Sequence, residues 1–392
     1  MPWLEFLKTR GHKIALVDPS QNPPCLKSAD LFIRCDVKDV VAIERSVREL
    51  GIEIELVTSD QTDVSVLPVA HLSKVFGTRG NSLATVELFA NKLSSRRFIE
   101  NRFGVHIPRF KPVLNAGEVV EMCCDTGRDI IVKPVDAQSS RGIFLVKHDA
   151  KMFDLEDRFS ACIKYSSARQ VIAEEYVQGT EITIEGICLA GRHTITAMSR
   201  KQHFRLGIAS DLLYPLKINQ DLHEQLVDFH CRLIESTGLD FGITHSEYII
   251  NEIRDEFWLV EMACRGGGSL IPSHITPAVS GINIYKSLYD YIMSGSNNIQ
   301  AKRFVDPIGS CLLHFFEFQS GRIQSMDGID ECKSMDSVVD LGLEFKVGDI
   351  LSPATDDRSR QGYVIIKGCD ECFVKRQLEA VEGKIKVGYY KV

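Results

Sequence analysis

Two short apolar runs, residues 243–250 and 257–262, flank a polar stretch at 251–256, and the pattern predicts a β-hairpin. The first run reads Ile243-Thr244-His245-Ser246-Glu247-Tyr248-Ile249-Ile250 and the second Phe257-Trp258-Leu259-Val260-Glu261-Met262. With the turn centred on Arg254, Glu247 and Glu261 fall opposite each other. Cross-strand partners lie about 5 Å apart on one face, where like charges destabilise a sheet. A divalent cation removes that penalty, because Mg²⁺ is typically held by one or two carboxylates plus substrate phosphates. After the second glutamate comes Arg265-Gly266-Gly267-Gly268-Ser269, a cation followed by backbone that can approach a phosphate closely. The hairpin therefore predicts a metal–nucleotide site. The plainer reading is a surface hairpin with scattered acids.

Elsewhere the pattern predicts an α/β (α+β) chain in three parts. Residues 1–80 alternate strands (13–19, 31–35, 55–59) with helices (3–10, 39–50), a βαβ rhythm that implies a parallel sheet. No strand or glycine-rich turn precedes the first helix, so either the chain starts upstream of Met1 or the fold does without that strand. Residues 81–298 form the central part: a basic helical stretch (81–109), strands from 130 to 187, a helix at 221–238, the hairpin, and a helix at 277–294. Residues 299–392 carry short strands with Gly and Asp turns and read as a separate small β-rich lobe.

Composition excludes several classes. The chain has 392 residues, 44% hydrophobic and 25% charged, enough for more than one core. Net charge is −7 with both signs interspersed, which argues against nucleic acid or an anionic membrane as partner. No apolar stretch approaches a membrane span, and residues 1–8 have no signal-peptide core. The twelve cysteines read as reduced thiols of a cytoplasmic protein, and the lone Cys369-Asp370-Glu371-Cys372 is too weak to claim zinc or redox work.

Three further features align with the hairpin. Lys133 ends an apolar strand and precedes a small-residue loop, Asp136-Ala137-Gln138-Ser139-Ser140-Arg141-Gly142, suited to cover phosphates. Lys92 sits in Ala90-Asn91-Lys92-Leu93-Ser94, where a solvated helix face is the default reading. Glu174-Glu175-Tyr176-Val177-Gln178-Gly179-Thr180-Glu181 places acids around a strand-to-turn segment that can border an adenine and a ribose, or be a plain exposed hairpin.

Taken in order, Lys92, Ile131-Val132-Lys133-Pro134 with Ser139-Ser140-Arg141-Gly142, Glu174 to Glu181, Glu247, and Glu261-x-x-x-Arg265-Gly266-Gly267 resemble the ATP-grasp superfamily across nearly the whole chain. The resemblance implies a pre-ATP-grasp domain, an ATP-grasp domain of two α+β subdomains, and a C-terminal lobe. It implies that Lys92 and Lys133 contact nucleotide phosphates under the loop of Ser139, Ser140 and Gly142. Glu174, Glu175 and Val177 then border adenine, Glu181 holds ribose, and Glu247 and Glu261 ligate Mg²⁺, for which Mn²⁺ can substitute. Arg265 steadies an acyl phosphate or tetrahedral intermediate.

One departure matters. The commonest motif of that superfamily is Glu-x-Asn-x-Arg, whereas this chain reads Glu261-Met262-Ala263-Cys264-Arg265, losing a third metal ligand. The variant, with Ser273-His274 and Ser280-Gly281-Ile282-Asn283 after it, is similar to the branch containing L-amino acid ligases. That branch implies an ATP-dependent ligase joining a small carboxylic acid to an amine, amino acids foremost, with a homodimer as one assembly open to it. Residues 193–205 and Ser273-His274 border the expected substrate cavity, with Arg205, Gly267 and His274 as candidate contacts. Two other readings stand beside it: a carboxylase working on an amine through carboxyphosphate, and a non-catalytic nucleotide-binding protein.

Overall fold

The computed structural model describes residues 2–151, 154–299 and 302–390. The N-terminal part holds α1 (Pro2–Thr9), β1 (Ala15–Asp18), β2 (Leu31–Arg34), α2 (Val40–Glu49) and α3 (Val66–Phe76). Its sheet is parallel, β1 beside β2, as the βαβ rhythm predicted. The third expected strand, 55–59, is not one. Its backbone joins no ladder, and side chains hold the segment instead: Trp3 Nε1 donates to Thr58 Oγ1 at 3.0 Å, and Val57 packs against the small core around Ile43 and Val47.

Helices α4 (Leu83–Ala90) and α5 (Lys92–Arg102) follow, separated at Asn91, whose side chain caps the second by accepting from Leu93 N and Ser94 N. A four-stranded antiparallel sheet in the order β3-β6-β4-β5 comes from β3 (Phe110–Val113), β4 (Ile130–Pro134), β5 (Phe144–Val146) and β6 (Val171–Glu175), with α6 (Ala116–Thr126) and α7 (Glu156–Lys164) covering one face. The apolar patterning of 130–187 hid α7, a short amphipathic helix burying only Phe159 and Cys162.

The largest element is an eight-stranded antiparallel sheet in the order β11-β10-β7-β8-β9-β12-β16-β14. It contains β7 (Thr180–Leu189), β8 (Arg192–Arg205), β9 (Ile208–Tyr214), β10 (Phe241–Asn251) and β11 (Glu256–Ala263). Helix α8 (Gln220–Ser236) lies between β9 and β10, and its Leu226, Phe229 and Leu233 pack on one face, against Ile182, Ile184, Tyr248 and Leu259. The helix expected at 277–294 divides into α9 (Thr276–Ser280) and α10 (Ile284–Ser294), because Gly281 turns left-handed at φ 73° and caps the first.

Beyond these come β12 (Ser310–Phe315), β13 (Gly321–Asp327), α11 (Ile329–Lys333), β14 (Val338–Leu343), β15 (Ile350–Leu351), β16 (Gly362–Gly368), α12 (Glu371–Lys384) and β17 (Lys386–Tyr389). The C-terminal segment, expected to stand apart, shares its main sheet with the central one: β12 pairs with β9 through Cys311↔Tyr214 to His314↔Asp211. Among the described C-terminal residues, only β15-β13-β17 form a sheet of their own. Among the described residues, no helix is long and apolar enough to cross a membrane.

The second face of the large sheet positions the site. Along β7, Ile187 and Leu189 lie under α1 and α10, together with Phe241 and Ile243 of β10. Two to four residues earlier on the same face come Thr183 and Glu185, paired with Glu247 and His245. A polar interval inside a buried apolar sheet costs free energy unless it is internally paired or serves a ligand.

Candidate active site

The β10–β11 hairpin sets the two acids opposite each other by a route that the alternation does not reveal. Near the turn the register runs Asn251↔Glu256 to Tyr248↔Leu259, which by simple continuation would place Val260 opposite Glu247. A β-bulge between Glu247 and Tyr248 adds one residue on β11, and Glu261 becomes the partner of Glu247. The extra residue, Val260, gives its carbonyl to Arg96 Nη2 at 2.7 Å. The turn itself is closed by Asn251 Oδ1, which accepts from Ile253 N and Arg254 N.

Each acid is met by a lysine from elsewhere. Lys92, at the start of α5, donates to Glu261 Oε1 at 3.1 Å and to the carbonyl of Ala137 at 2.8 Å. Lys201 of β8 bridges Glu247 Oε1 at 2.7 Å and Glu181 Oε1 at 2.5 Å. His203 Nε2 stands 3.3 Å from the other oxygen of Glu181. Burial by itself would raise the Glu247 pKa, but Lys201 and His245 outweigh it and hold the carboxyl well below its ordinary range. His245 is in turn held by Glu185, at 2.9 and 3.0 Å. Burial disfavours its cation, yet the Glu185 charge outweighs that and lifts the imidazole to about 9. Gly267 lies over this pair. A Cβ there would sit 3.0 Å from His245 Nδ1 and 3.2 Å from Glu185 Oε2, so a side chain would force the chain away.

Lys133 and Glu174 form a second, buried cluster. Lys133 Nζ is 2.6 Å from Glu174 Oε2, and Arg96 Nε donates to Glu174 Oε1 at 2.8 Å. Burial opposes charge on both partners. Two cations outweigh it for Glu174, whose pKa is lowered, while Lys133, buried and beside Arg96, is lowered as well. Glu174 is met by two cationic side chains, Lys133 and Arg96. The Glu174 side chain is thus committed to support. Glu175 and Val177 follow it, half-buried, at the edge of β6 and in the turn to β7, with Arg128 Nε 3.9 Å from Glu175.

The loop after Lys133 has the backbone of a cradle. Ser139 and Ser140 are left-handed at φ 59° and 58°, and Gly142 is at φ 72°. Gly207, in the turn between β8 and β9, faces Ser140 so closely that a Cβ would come within 3.1 Å.

Arg265 points to the N-terminal part. Its Nε and Nη2 donate to the two oxygens of Asp63 at 2.6 and 3.1 Å, and Nη1 donates to the carbonyl of Gly266. Asp63 N donates to Gln138 Oε1 at 2.9 Å, joining this pair to the loop after Lys133. Arg205 is spent on the C-terminal segment, donating to Glu317 at 2.7 Å and to the carbonyl of Ala354 at 2.6 Å. His274 Nδ1 is 2.7 Å from Ser273 Oγ. The structure therefore pairs Lys92 with Glu261 and links Glu181 to Glu247 through Lys201, sets the two pairs side by side through the Glu247–Glu261 register, and places Arg265 four residues beyond Glu261, while Arg205 turns outward to Glu317.

Sequence reasoning missed Lys201, His203, Arg96, Glu185, His245 and Asp63. The polar run Arg200-Lys201-Gln202-His203 at the end of an apolar strand was a usable signal for the first two. Nothing in the chain marks Asp63 as the partner of a residue 202 positions away.

Comparison with known proteins accords with this geometry. Residues 126–273 match the ATP-grasp domain family, and residues 314–390 match the family described as L-amino acid ligase C-terminal domain 2. The chain carries an ATP-grasp domain. Alanine–anticapsin ligase of Bacillus subtilis is 25% identical over 285 residues, 66% of this chain and 58% of that protein. The chain spans 54 to 66% of the length of three curated relatives it matches. L-amino acid ligase from Bacillus licheniformis superposes with a TM-score of 0.83 at 16% identity, covering 99% of this chain and 95% of that one. Biotin carboxylase from Campylobacter jejuni gives 0.75 at 14%, covering 99% and 89%. At such identities the likeness speaks for the ATP-grasp fold alone.

Glu247 and Glu261 suit a hard divalent cation, being oxygen donors on one face whose charge is offset by Lys92, Lys201 and His245. Among the described residues no three His, Cys, Asp or Glu side chains gather as a metal cage, so phosphates and water would complete the shell.

Proposed function

We propose that this protein is an ATP-dependent ligase that joins a small carboxylic acid to an amine, both from the amino-acid class, and releases ADP and phosphate. The observation that carries it is the Glu247–Glu261 pair, created by a bulge and followed four residues later by Arg265, in an ATP-grasp chain whose C-terminal segment matches that of L-amino acid ligases.

In this reading the substrate carboxylate attacks the γ-phosphorus of ATP, ADP departs, and the amine nitrogen then displaces phosphate from the acyl carbon. No nucleophile of the protein is required, so the chain's task is positioning and charge neutralisation. Lys133, which shares Glu174 with Arg96, and Lys92 hold phosphate oxygens under the loop of Ser139, Ser140 and Gly142. Glu175 and Val177 border the adenine, and Glu181 accepts from the ribose. Glu247 and Glu261 would hold Mg²⁺, which supplies neutralisation of the phosphate charge. Lys201 keeps Glu181 and Glu247 compensated before substrates arrive. Arg265 offsets the charge that grows on the acyl phosphate.

The test is a screen of ADP release over pairs of amino acids and small acids, with and without bicarbonate. Release that needs both an acid and an amine supports the ligase. Release that needs bicarbonate and one amine would establish the carboxylase instead, a reading favoured only by the fold shared with biotin carboxylase and disfavoured by Ala263. No release across the panel would leave a nucleotide-binding protein without catalysis.

A further inference from the structure

The loop at 352–361, between β15 and β16, belongs to the C-terminal segment yet serves the face of the large sheet that carries the candidate site. Lys201 pairs with Leu212, and Leu212 with Leu313, so these three side chains share a face. Phe315 lies two residues beyond Leu313 and returns to that face. There it packs with Leu212, Tyr214, Ile271 and Ile275, the last two from the turn that follows Gly266-Gly267-Gly268. Arg360 lays its guanidinium over the Phe315 ring, 3.5 Å from the centroid. Strands β9 and β12 stand one and two spacings, about 5 and 10 Å, from β8 and its Lys201.

Arg360 is a half-buried cation with little to hold. Its Nη1 is 3.2 Å from Asp357 Oδ1, and among the described residues its Nε and Nη2 meet no acceptor. That Asp357 oxygen is shared, since it also accepts from Ala209 N of β9 at 3.2 Å. Its charge extends to the site: burial disfavours the Lys201 cation, but Glu181, Glu247 and Asp357 outweigh it and raise the lysine pKa. For Arg360 the balance is reversed, because burial lowers its pKa and Asp357 and Asp356 do not make up the loss. The neighbouring arginines are occupied, Arg205 by Glu317 and the carbonyl of Ala354, Arg358 by Asp356 at 2.8 Å. A guanidinium with donors left over accommodates a further anion, and its planar fork matches the two oxygens of a carboxylate.

We propose that Arg360 anchors the amine substrate by its carboxylate, so that the amine accepted is an α-amino acid whose free carboxylate meets the guanidinium over Phe315. The proposal rests on the ligase reading and narrows it. The carboxylate that reacts is met by Arg265 and the Glu247–Glu261 pair in that reading. Arg360, two strands beyond Lys201, is placed for a second anion that does not react, and the amine-side carboxylate is the one that survives into the product. Arg360 then selects α-amino acids over their amides and over simple amines.

Calorimetric titration of the full chain, with a non-hydrolysable ATP analogue and Mg²⁺, tests this with glycine, L-alanine and L-phenylalanine and with the primary amide of each. The amide keeps the amine and loses only the carboxylate. Wild type should bind at least one amino acid about tenfold or more tighter than its amide. Arg360→Gln should weaken that amino acid about tenfold or more, and leave the amide and the nucleotide within about threefold. Arg360→Lys, which keeps the charge without the fork, should lose about threefold on the amino acid. An amino acid bound as the acid substrate would sit at Arg265 and ignore both substitutions. Unfolding midpoints near wild type would establish that both variants fold.

Equal losses for amino acid and amide would make Arg360 a structural residue and overturn the proposal. It is likewise overturned if no amino acid binds the wild type, if amino-acid affinities ignore both substitutions, or if nucleotide affinity alone falls. Binding that follows the expected pattern without ADP release on any acid–amine pair would support the anchor and refute the ligase reading. ADP release with amine KM values indifferent to Arg360→Gln would do the reverse.

Discussion

Arg265 and Asp63 are joined by two roughly parallel N–H···O bonds, 2.6 and 3.1 Å long, across 202 residues of chain. The pair ties the chain just beyond β11 to the N-terminal part, and Asp63 N reaches Gln138 of the loop after Lys133 in the same stroke. A planar fork holds two oxygens at once, which an ammonium cannot copy. Arg265→Lys is expected to keep ATP affinity near wild type and to lose kcat by about 10²-fold or more. Asp63→Asn should lower kcat by about tenfold with KM for ATP unchanged, because the guanidinium loses its anchor but not its charge. Steady-state kinetics on both variants decide. A kcat that stays at wild type while only stability changes would reduce the pair to a structural tie.

Glu261→Gln should nearly abolish turnover without unfolding the protein, and Glu247→Gln should do the same, since the proposed mechanism gives both acids a shared cation to hold. The double variant should lose little more than either single one, the non-additivity expected of residues acting on one ion. Mg²⁺-dependent ADP release at the wild-type rate in either single variant would remove the metal assignment.

The buried cluster of Arg96, Glu174 and Lys133 permits a cleaner separation of binding from folding. Lys133→Met keeps most of the volume and leaves Arg96 paired with Glu174. Removal of a surplus buried cation should leave stability within about 1 kcal/mol of wild type. Nucleotide binding should weaken by about 1–3 kcal/mol, the scale of a lost charge-assisted hydrogen bond. Denaturant midpoints and nucleotide titration measure the two effects. A large stability loss with unchanged nucleotide affinity would make Lys133 a structural residue.

Stability should peak between about pH 6 and 7. On the acid side, burial lowers His193 from 6.5 to about 3, and burial with the neighbouring His193 holds His230 well below its ordinary value. Below pH 6.5 the unfolded chain takes up protons that the folded one refuses, so stability falls by about 1.4 kcal/mol per pH unit for each histidine. On the alkaline side, His245 is raised to about 9, so its contribution is full below 6.5 and fades as pH rises through 9. Urea midpoints from pH 5 to 9 trace both limbs. His193→Asn should flatten the acid limb, and an unchanged slope would show that His193 does not titrate as its burial requires.

What the sequence by itself determined is local or periodic. The alternation around Glu247 and Glu261, the Lys133 strand with its small-residue loop, and Glu-x-x-x-Arg before three glycines are written in neighbouring residues, and hairpin and loop formed where those patterns lie. The third N-terminal strand failed because an apolar run states a wish for burial and not which ladder will accept it. Side chains of Thr58 and Val57 anchored that segment instead. The β-rich character of the C-terminal segment was legible, but its joining to the central sheet was not, since pairing of β12 with β9 depends on an edge that only the folded central sheet presents. The bulge at Val260, the lysine bridge of Lys201 and the Asp63 anchor were decided by tertiary structure. Each depends on a partner supplied from another element, Arg96, Glu181 and Arg265 respectively, and hydrogen bonding across such distances follows from three-dimensional packing rather than from spacing along the chain.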